Sequence, residues 1–508
     1  MPFDPPPNLR EDLRKVASVP FVSPIADLLV KDSESLADAL ARLDAGGAAA
    51  LFVVDAEDRL QGRIGPAEIA AALARGQGTE LRAGAAMIPD AGGLAADLPE
   101  DELARRAKEG TIALVDEERR PVGVRSPATA RRVPIAEPQL GGKELEYVTE
   151  CVTTNWISSQ GSFVRRFEAD FAKLLGVPHA LAVSNGTVAL HLALAAYGIG
   201  PGDEVIVPDL TFAATLNAVL YTGATPVIVD VAADTWNIDP AALSEAITPR
   251  TKAIMPVHLY GQPAAMDPIL ALARKHKLIV VEDAAEAVGA AHKGVPCGAI
   301  GDCGTFSFFS NKLITTGEGG MVVFKDDAIA ARARKLRDHG MNPQKRYWHD
   351  EVGFNYRLTN LQAAIGCAQL EQLDGFLARK KEIAAHYSRR FEGVVEIETP
   401  SVLPGFDNSY WVYSVILDCA GLGLARDEVM ARLAKMGVDT RPLFYCMHEM
   451  PPYKAYAGNR AFPVASRLSE NGLSLPSSTA ITAAELDHVA DALLSLVRTR
   501  KLARALVS

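Results

Sequence analysis

From about residue 180 the chain alternates short β-branched runs with longer helical patterns. ALAVSNG, DEVIVPD, ATPVIVDV, KAIMPVHLYG and LIVVEDAAEA carry near-continuous apolar stretches, and GTFSFFS and GGMVVF follow them. Apolar runs without polar alternation predict strands covered on both faces. TVALHLALAAYG and MDPILALARKHK, which separate some of these runs, have helix-forming patterns. Strands alternating with helices predict a βαβ array: an open, mostly parallel sheet with its ligand crevice at the strand C-termini. Beyond about residue 375 the pattern turns helix-rich and strand-poor, which predicts a smaller second lobe.

The first 130 residues follow a different pattern. ALFVVDAEDRLQGRIGP (50–66) and IALVDEERRPVGVRSP (112–127) both read as strand, acidic turn, strand, with Asp55 and Asp116 each seven residues ahead of a glycine, Gly62 and Gly123. The helical SESLADALARLDAGG precedes the first copy and PAEIAAALARG follows it. This part resembles a degenerate pair of CBS motifs, which in other proteins often bind adenosine nucleotides. Where such motifs offer a ribose-binding Asp, the first copy has Glu68 and the second has no obvious counterpart. A packing or oligomerisation module is favoured over a nucleotide sensor. PATARRVPIAEPQ (127–139) lacks periodicity and reads as a linker. The expected organisation is a CBS-like accessory domain (1–130), a large domain (131–375) and a small C-terminal lobe (376–508).

Composition narrows the function classes. A chain of 508 residues exceeds one core. No window holds the roughly 20 apolar residues of a membrane span, and the start, MPFDPPPNLREDLRK, lacks the apolar segment of a secretion signal. Six irregularly spaced cysteines without a CxxC pair argue against a zinc site or a disulfide framework, so a reducing cytoplasm is expected and no metal. A net charge of −10 disfavours general nucleic-acid binding.

Candidate chemistry sits just past the apolar runs. Ser184-Asn185-Gly186-Thr187 enters a helix and would present backbone N–H groups and a hydroxyl to a phosphate, although Ser, Asn and Thr are also ordinary caps. Phe212 could stack on a flat ring or be core. Glu282, Asp283 and Glu286 follow LIVV, where two acids would repel one another without a nearby cation or proton. Lys312, in SFFSNKLITTGEGG, follows Asp283 by 29 residues, with Ser307 five residues ahead of it. A phosphate cradle, an aromatic plate, a buried acid and a buried lysine are what pyridoxal 5′-phosphate requires. The lysine forms the covalent link and carries protons, and the acid keeps the pyridine nitrogen protonated.

SNGTVALHLAL, GPGDEVIVPDLTF, EDAAEA, SFFSNKLITTGEGG and VGFNYRLTNLQAAIG, in this order, resemble the DegT/DnrJ/EryC1/StrS sugar aminotransferases from about residue 134 to the end. The resemblance implies the type I pyridoxal-phosphate fold: a large, mostly parallel α/β domain and a small α/β lobe. It also implies that Lys312 carries the cofactor and Asp283 pairs with its ring nitrogen. Glu286 would lie near the phenolic oxygen, where many relatives have Gln, and Phe212 would stack on the ring. Gly186, Thr187 and Ser307 would hold the phosphate, with Asn355 reaching in from a neighbouring subunit of a homodimer.

NWISSQG, KAIMPVHLYGQ, MNPQKRYWHDEVGFNYR and RPLFYCMHEMPPY resemble the branch of the family that aminates GDP-4-keto-6-deoxy-D-mannose. They imply substrate contacts at Trp156, Ser158, Arg346, Tyr347, Trp348 and His448, the last equally readable as a packed turn histidine. Members with His in place of the lysine are dehydratases, so Lys312 implies transamination, with L-glutamate as donor and 2-oxoglutarate released. The alternatives are the same chemistry on a UDP- or dTDP-linked 4-keto sugar, or a regulatory protein that keeps the fold without the chemistry. The second is disfavoured by the presence of both Lys312 and Asp283.

Overall fold

The computed structural model describes residues 25–46, 50–89, 93–98, 102, 103, 106, 112–125 and 132–507. The Pro-rich start (1–15) and residues 127–131 of the expected linker lie outside the described residues. The chain forms two compact units that do not follow it linearly. One joins Met1–Pro134 with Asp418–Thr440 and Ile481–Ser508, and the other joins Ile135–Leu417 with Arg441–Ala480.

The second unit is built on a seven-stranded sheet. Its strand order is Thr225–Val229, Glu204–Pro208, Thr251–Ile254, Ile279–Asp283, Cys303–Ser307, Gly320–Phe324 and His179–Val183. Only Gly320–Phe324 runs against its neighbours. The apolar runs are buried along almost their whole length because helices cover both faces. Gly186–Ala196, one of those helices, is apolar nearly all round and buries seven of its 11 residues, as a helix enclosed by core must. With six strands pointing one way, the residues after Val183, Pro208, Asp283 and Ser307 share one edge of the sheet.

The C-terminal part of this unit holds more strand than its sequence pattern suggests. Ile397–Glu398, Tyr413–Leu417, Gly472–Leu475 and Arg441–Pro442 form an antiparallel sheet. The helix Leu373–Phe391 lays Tyr387 against Tyr413, ring centroids 5.1 Å apart. Strands of two to five residues are too short to register against helical periodicity.

In the first unit the two acidic turns have the same geometry. The Asp55 carboxylate accepts from the amides of Glu57 and Arg59 (3.1 and 2.8 Å), and Asp116 accepts from Glu118 and Arg120 (3.0 and 2.8 Å). Asp58 and Arg119 take the matching left-handed positions, φ 65° and 61°. The hairpins meet where the Leu60 amide donates to the Arg119 carbonyl (2.9 Å), over a core of Phe52, Leu60, Ala113, Val115 and Val124. Glu68 accepts from the Gly65 amide (2.9 Å) and closes the first turn of its own helix.

Asp44 ties the N-terminal segment to the C-terminal ones within this unit. It lies in the last turn of Leu36–Gly46, where a carboxylate opposes the helix dipole. Two guanidinium groups offset that cost: Arg432 Nη1 at 2.8 Å from Oδ1 and Arg500 Nη1 at 2.6 Å from Oδ2. Arg432 also donates to the Asp44 carbonyl, and Arg500 to the carbonyls of Leu422 and Gly423. Asp44→Ala should lower the unfolding free energy by about 2 kcal/mol, the scale of charge-assisted hydrogen bonds in a half-buried setting, read as a fall in urea midpoint. An unchanged midpoint would show that the clamp is dispensable.

Candidate active site

The helix Gly186–Ala196 starts at the strand edge, capped by Asn185, whose Oδ1 accepts from the Val188 amide (3.0 Å). Its first-turn amides have no partner within the helix, which makes this end a natural anion seat. A Cβ at Gly186 would come within 2.8 Å of the Ser307 Cβ, so only glycine lets the helix start approach Ser307 this closely. Thr187 is half-buried in the same turn. Gly186, Thr187 and Ser307 thus form one corner.

The acids after LIVV are separated by strand parity. Glu282 and Asp283 are consecutive in a strand and point to opposite faces. Glu282 accepts from His258 Nε2 (2.8 Å) and from the amides of Gly298, Ile300 and Gly301 (2.6–2.7 Å). The Ala264 amide donates to His258 Nδ1, which puts the imidazole proton on Nε2, facing Glu282. Glu282 thus meets four N–H donors, one of them from His258.

Asp283 accepts from the Thr215 hydroxyl (2.8 Å) and the Ala285 amide (3.2 Å). Burial pushes its carboxyl above the usual range, against the pull of those donors and of Lys312. Glu286 is pushed up likewise by burial, opposed first by Lys312. It accepts from the Tyr260 amide (2.9 Å) and lies 3.4 Å from the Lys312 amine.

The Lys312 side chain is 13% exposed, and its amine sits 3.9 Å from the centre of the Trp411 ring. Tyr260 stacks near Trp411 (6.3 Å, 21°) and packs on Phe444 (5.4 Å), which in turn meets Phe212 (5.7 Å). Phe212 is 59% exposed, an apolar ring presented at the strand edge. Lys312, Glu286, Tyr260, Trp411, Phe444 and Phe212 form one connected group, with Asp283 three residues from Glu286.

Other sequence-predicted residues lie outside that group. Asn355 is exposed, on a segment that runs beside the sheet edge, where the Ser184 amide donates to the Tyr356 carbonyl (2.9 Å). Trp156 and Ser158 are exposed, their loop pinned by Asn360, which donates to the carbonyls of Trp156 (2.6 Å) and Ser158 (3.0 Å). Tyr347 and Trp348 are 74% and 53% exposed, with Arg346 over the Tyr347 ring and Lys345 over Trp348. Among the described residues no hydrogen bond joins any of these to Lys312.

His448 is held as a packed turn residue. Its Nδ1 and its amide both bond the buried Asp209 carboxylate (2.7 and 2.8 Å), and its ring stacks on Phe462 at 4.4 Å. Cys446 joins this cluster.

The sequence profile of the DegT/DnrJ/EryC1/StrS aminotransferase family matches residues 138–494. The chain belongs to this family. It is 52% identical over 363 residues to a GDP-perosamine synthase of Caulobacter vibrioides, covering 71% of this chain and 97% of that protein. A GDP-perosamine synthase of Escherichia coli O157:H7 is 45% identical over 361 residues, with 71% and 97% covered. The solved structure of DesI, determined in the presence of its TDP-sugar product, superposes with a TM-score of 0.68 at 34% identity, covering 74% of this chain and 96% of that one. The chain is a pyridoxal 5′-phosphate-dependent sugar aminotransferase. Residues ahead of 138 lie outside the family match. Among the described residues no helix is long and apolar enough to cross a membrane.

The residues present suit this cofactor. Asp283 is buried with two neutral donors, so a cationic ring N–H would relieve its desolvation. The Gly186–Ser307 corner offers amides and a hydroxyl, and Phe212 offers an open ring face.

Several participants escape sequence reasoning. Thr215 and Trp411 are recognisable only by contact, since nothing in their local sequence marks them; Tyr260 lies in KAIMPVHLYGQ, but that motif assigns it no role. Lys380 is the least expected: fully buried in the helix Leu373–Phe391, it donates to the carbonyls of Trp411 (2.7 Å) and Ser477 (2.5 Å). Burial pushes its ammonium down to about 7. An unfolded lysine keeps its proton to about pH 10, so between these values the unfolded chain binds the extra proton. Stability from this site therefore rises with pH across that window and is lost as pH falls through about 7. The urea midpoint of the wild type should gain on that of Lys380→Met from about pH 7 to about pH 10; parallel profiles would refute this.

Proposed function

We propose that this enzyme moves the amino group of L-glutamate to the C4 ketone of a nucleotide-linked 4-keto-6-deoxy sugar. GDP-4-keto-6-deoxy-D-mannose is the favoured acceptor, GDP-perosamine the product and 2-oxoglutarate the co-product. The observation that carries this reading is the 52% identity across 97% of a GDP-perosamine synthase, in a chain that keeps a lysine beside buried acids. The product would serve surface polysaccharide synthesis, in the cytoplasm.

Bound pyridoxal 5′-phosphate supplies an electron-withdrawing ring that makes the proton on the amino-bearing carbon removable. Lys312 would hold the cofactor through its amine and, once free, move that proton. Asp283 would face the ring nitrogen, with the Thr215 hydroxyl fixing the orientation of its carboxylate. Glu286, restrained by the Tyr260 amide, would lie by the phenolic oxygen. Phe212 would cover the ring, and Gly186, Thr187 and Ser307 would take the phosphate. The aromatic wall of Tyr260, Trp411 and Phe444 would exclude water.

A homodimer accounts for the exposed side chains. Asn355 would reach the phosphate of a second copy, and the surfaces around Trp156, Ser158, Arg346, Tyr347 and Trp348 would be covered by partner and sugar nucleotide. His448, bonded to Asp209, would contact substrate only through its remaining nitrogen. A dTDP-linked sugar is the second reading, favoured by the likeness to DesI and its TDP-sugar product. Residues 1–130 would be a CBS-like accessory module that packs or oligomerises.

Purified protein should be yellow, with a visible band that Lys312→Ala abolishes. Asp283→Ala should cut turnover by at least about 100-fold, since the ring nitrogen would lose its counter-charge; near-normal turnover would remove Asp283 from the mechanism. A panel of GDP-, UDP- and dTDP-linked 4-keto sugars with glutamate, read by product mass, tests the acceptor. Amination of the dTDP sugar alone would replace the GDP assignment.

A further inference from the structure

During transamination the Lys312 amine is bonded to the cofactor at some stages and free at others. The Lys312 amine lies against the face of Trp411, 3.9 Å from the ring centre, and 3.4 Å from the Glu286 carboxylate. Trp411 is fixed in three ways. Its indole N–H donates to the carbonyl of Asn311 (2.7 Å), the residue before Lys312. Tyr260 stacks alongside its ring. Its backbone carbonyl accepts from Lys380 (2.7 Å).

The second carbonyl held by Lys380 belongs to Ser477, whose hydroxyl accepts from the Tyr413 amide (2.9 Å). One buried amine thus clips together the segments on either side of the antiparallel sheet pair Tyr413–Leu417 and Gly472–Leu475. Two carbonyls match the two N–H bonds of a neutral amine, so Lys380 keeps both bonds whether or not it carries charge. A mere solvated lysine would have no reason to be buried here, and a packing residue would need no donor.

We propose that Trp411, clamped from behind by Lys380, is the seat of the released Lys312 amine, and that the two are positioning residues for the lysine that moves the proton. An aromatic face attracts an ammonium, and the Glu286 carboxylate at 3.4 Å stands farther off than in a tight charge-assisted pair. The amine would therefore be held beside the cofactor site and still be free to leave it. This rests on the transamination proposed above, and it assigns to Trp411 and Lys380 a role in where Lys312 waits.

The test uses full-length enzyme loaded with pyridoxamine 5′-phosphate, the cofactor form that leaves the lysine free. Trace acetylation with acetic anhydride, read by peptide mass spectrometry, reports the exposure of the Lys312 amine relative to the exposed Lys252. In Trp411→Leu and Lys380→Met, Lys312 should acetylate about threefold faster or more, a loss of the size expected for a ring–ammonium contact. Turnover should fall while the KM for the sugar holds. Trp411→Phe keeps a ring but loses the bond to Asn311 and should fall between; it also serves if Lys380→Met does not fold. Equal Lys312 labelling in wild type and Trp411→Leu overturns the proposal. Failure of the wild type to aminate any sugar in the panel would sink the assigned reaction instead, and would leave the labelling contrast unaffected.

Discussion

Consecutive strand residues must face opposite ways, and at Glu282–Asp283 that constraint organises the crevice. Glu282 turns away and satisfies four N–H donors, which locks the chain from Gly298 to Gly301 against the strand. A carboxylate buried without those donors would cost several kcal/mol, so the end of the strand has little freedom. Asp283 is delivered to the other face at a fixed height, where Thr215 and Ala285 set its direction. Two acids that look redundant in sequence do separate work: one is structural, the other open to a ligand.

The crevice is correspondingly short of positive charge. Asp283 and Glu286 are both held above their ordinary range by burial, and Lys312 is the foremost charged group that pulls each of them back. Such a site favours a ligand that brings its own cationic N–H to one acid and a hydrogen-bonding oxygen to the other. The aromatic wall formed by Tyr260, Trp411 and Phe444 keeps the surrounding dielectric low, which strengthens each of these interactions. Tyr260 adopts a left-handed backbone, φ 55°, to aim its amide at Glu286. A non-glycine residue in that region carries a conformational cost and persists where its surroundings enforce it.

The N-terminal segment is more closely bound up with C-terminal helices than a tethered accessory would be. Asp44 holds Arg432 and Arg500 together, and Val133 pairs with Val438. The two acidic hairpins repeat one turn geometry about a shared apolar core. Glu68 is engaged by its own helix, accepting from the Gly65 amide. These features suit a packing role.

Much of the fold was legible because it rests on local pattern. Unbroken apolar runs could only be strands enclosed on both sides, and their order with intervening helices predicted the parallel sheet and its working edge. Lys312, Asp283, Ser307 and Gly186 stood out as candidate chemistry because they sit just past apolar strands, and Glu286 through the resemblance. The short strands of the C-terminal sheet were not legible, since two to five residues carry too little periodicity. Trp411, Thr215 and Lys380 were not either: they lie 31 to 99 positions along the chain from the residues they support, and nothing local distinguishes them from core. The sequence by itself determined which elements form and which reactive groups are available. Only the tertiary structure decided which of those groups meet, because a hydrogen bond or a ring contact depends on placement to within an ångström, and packing across the whole chain sets that placement.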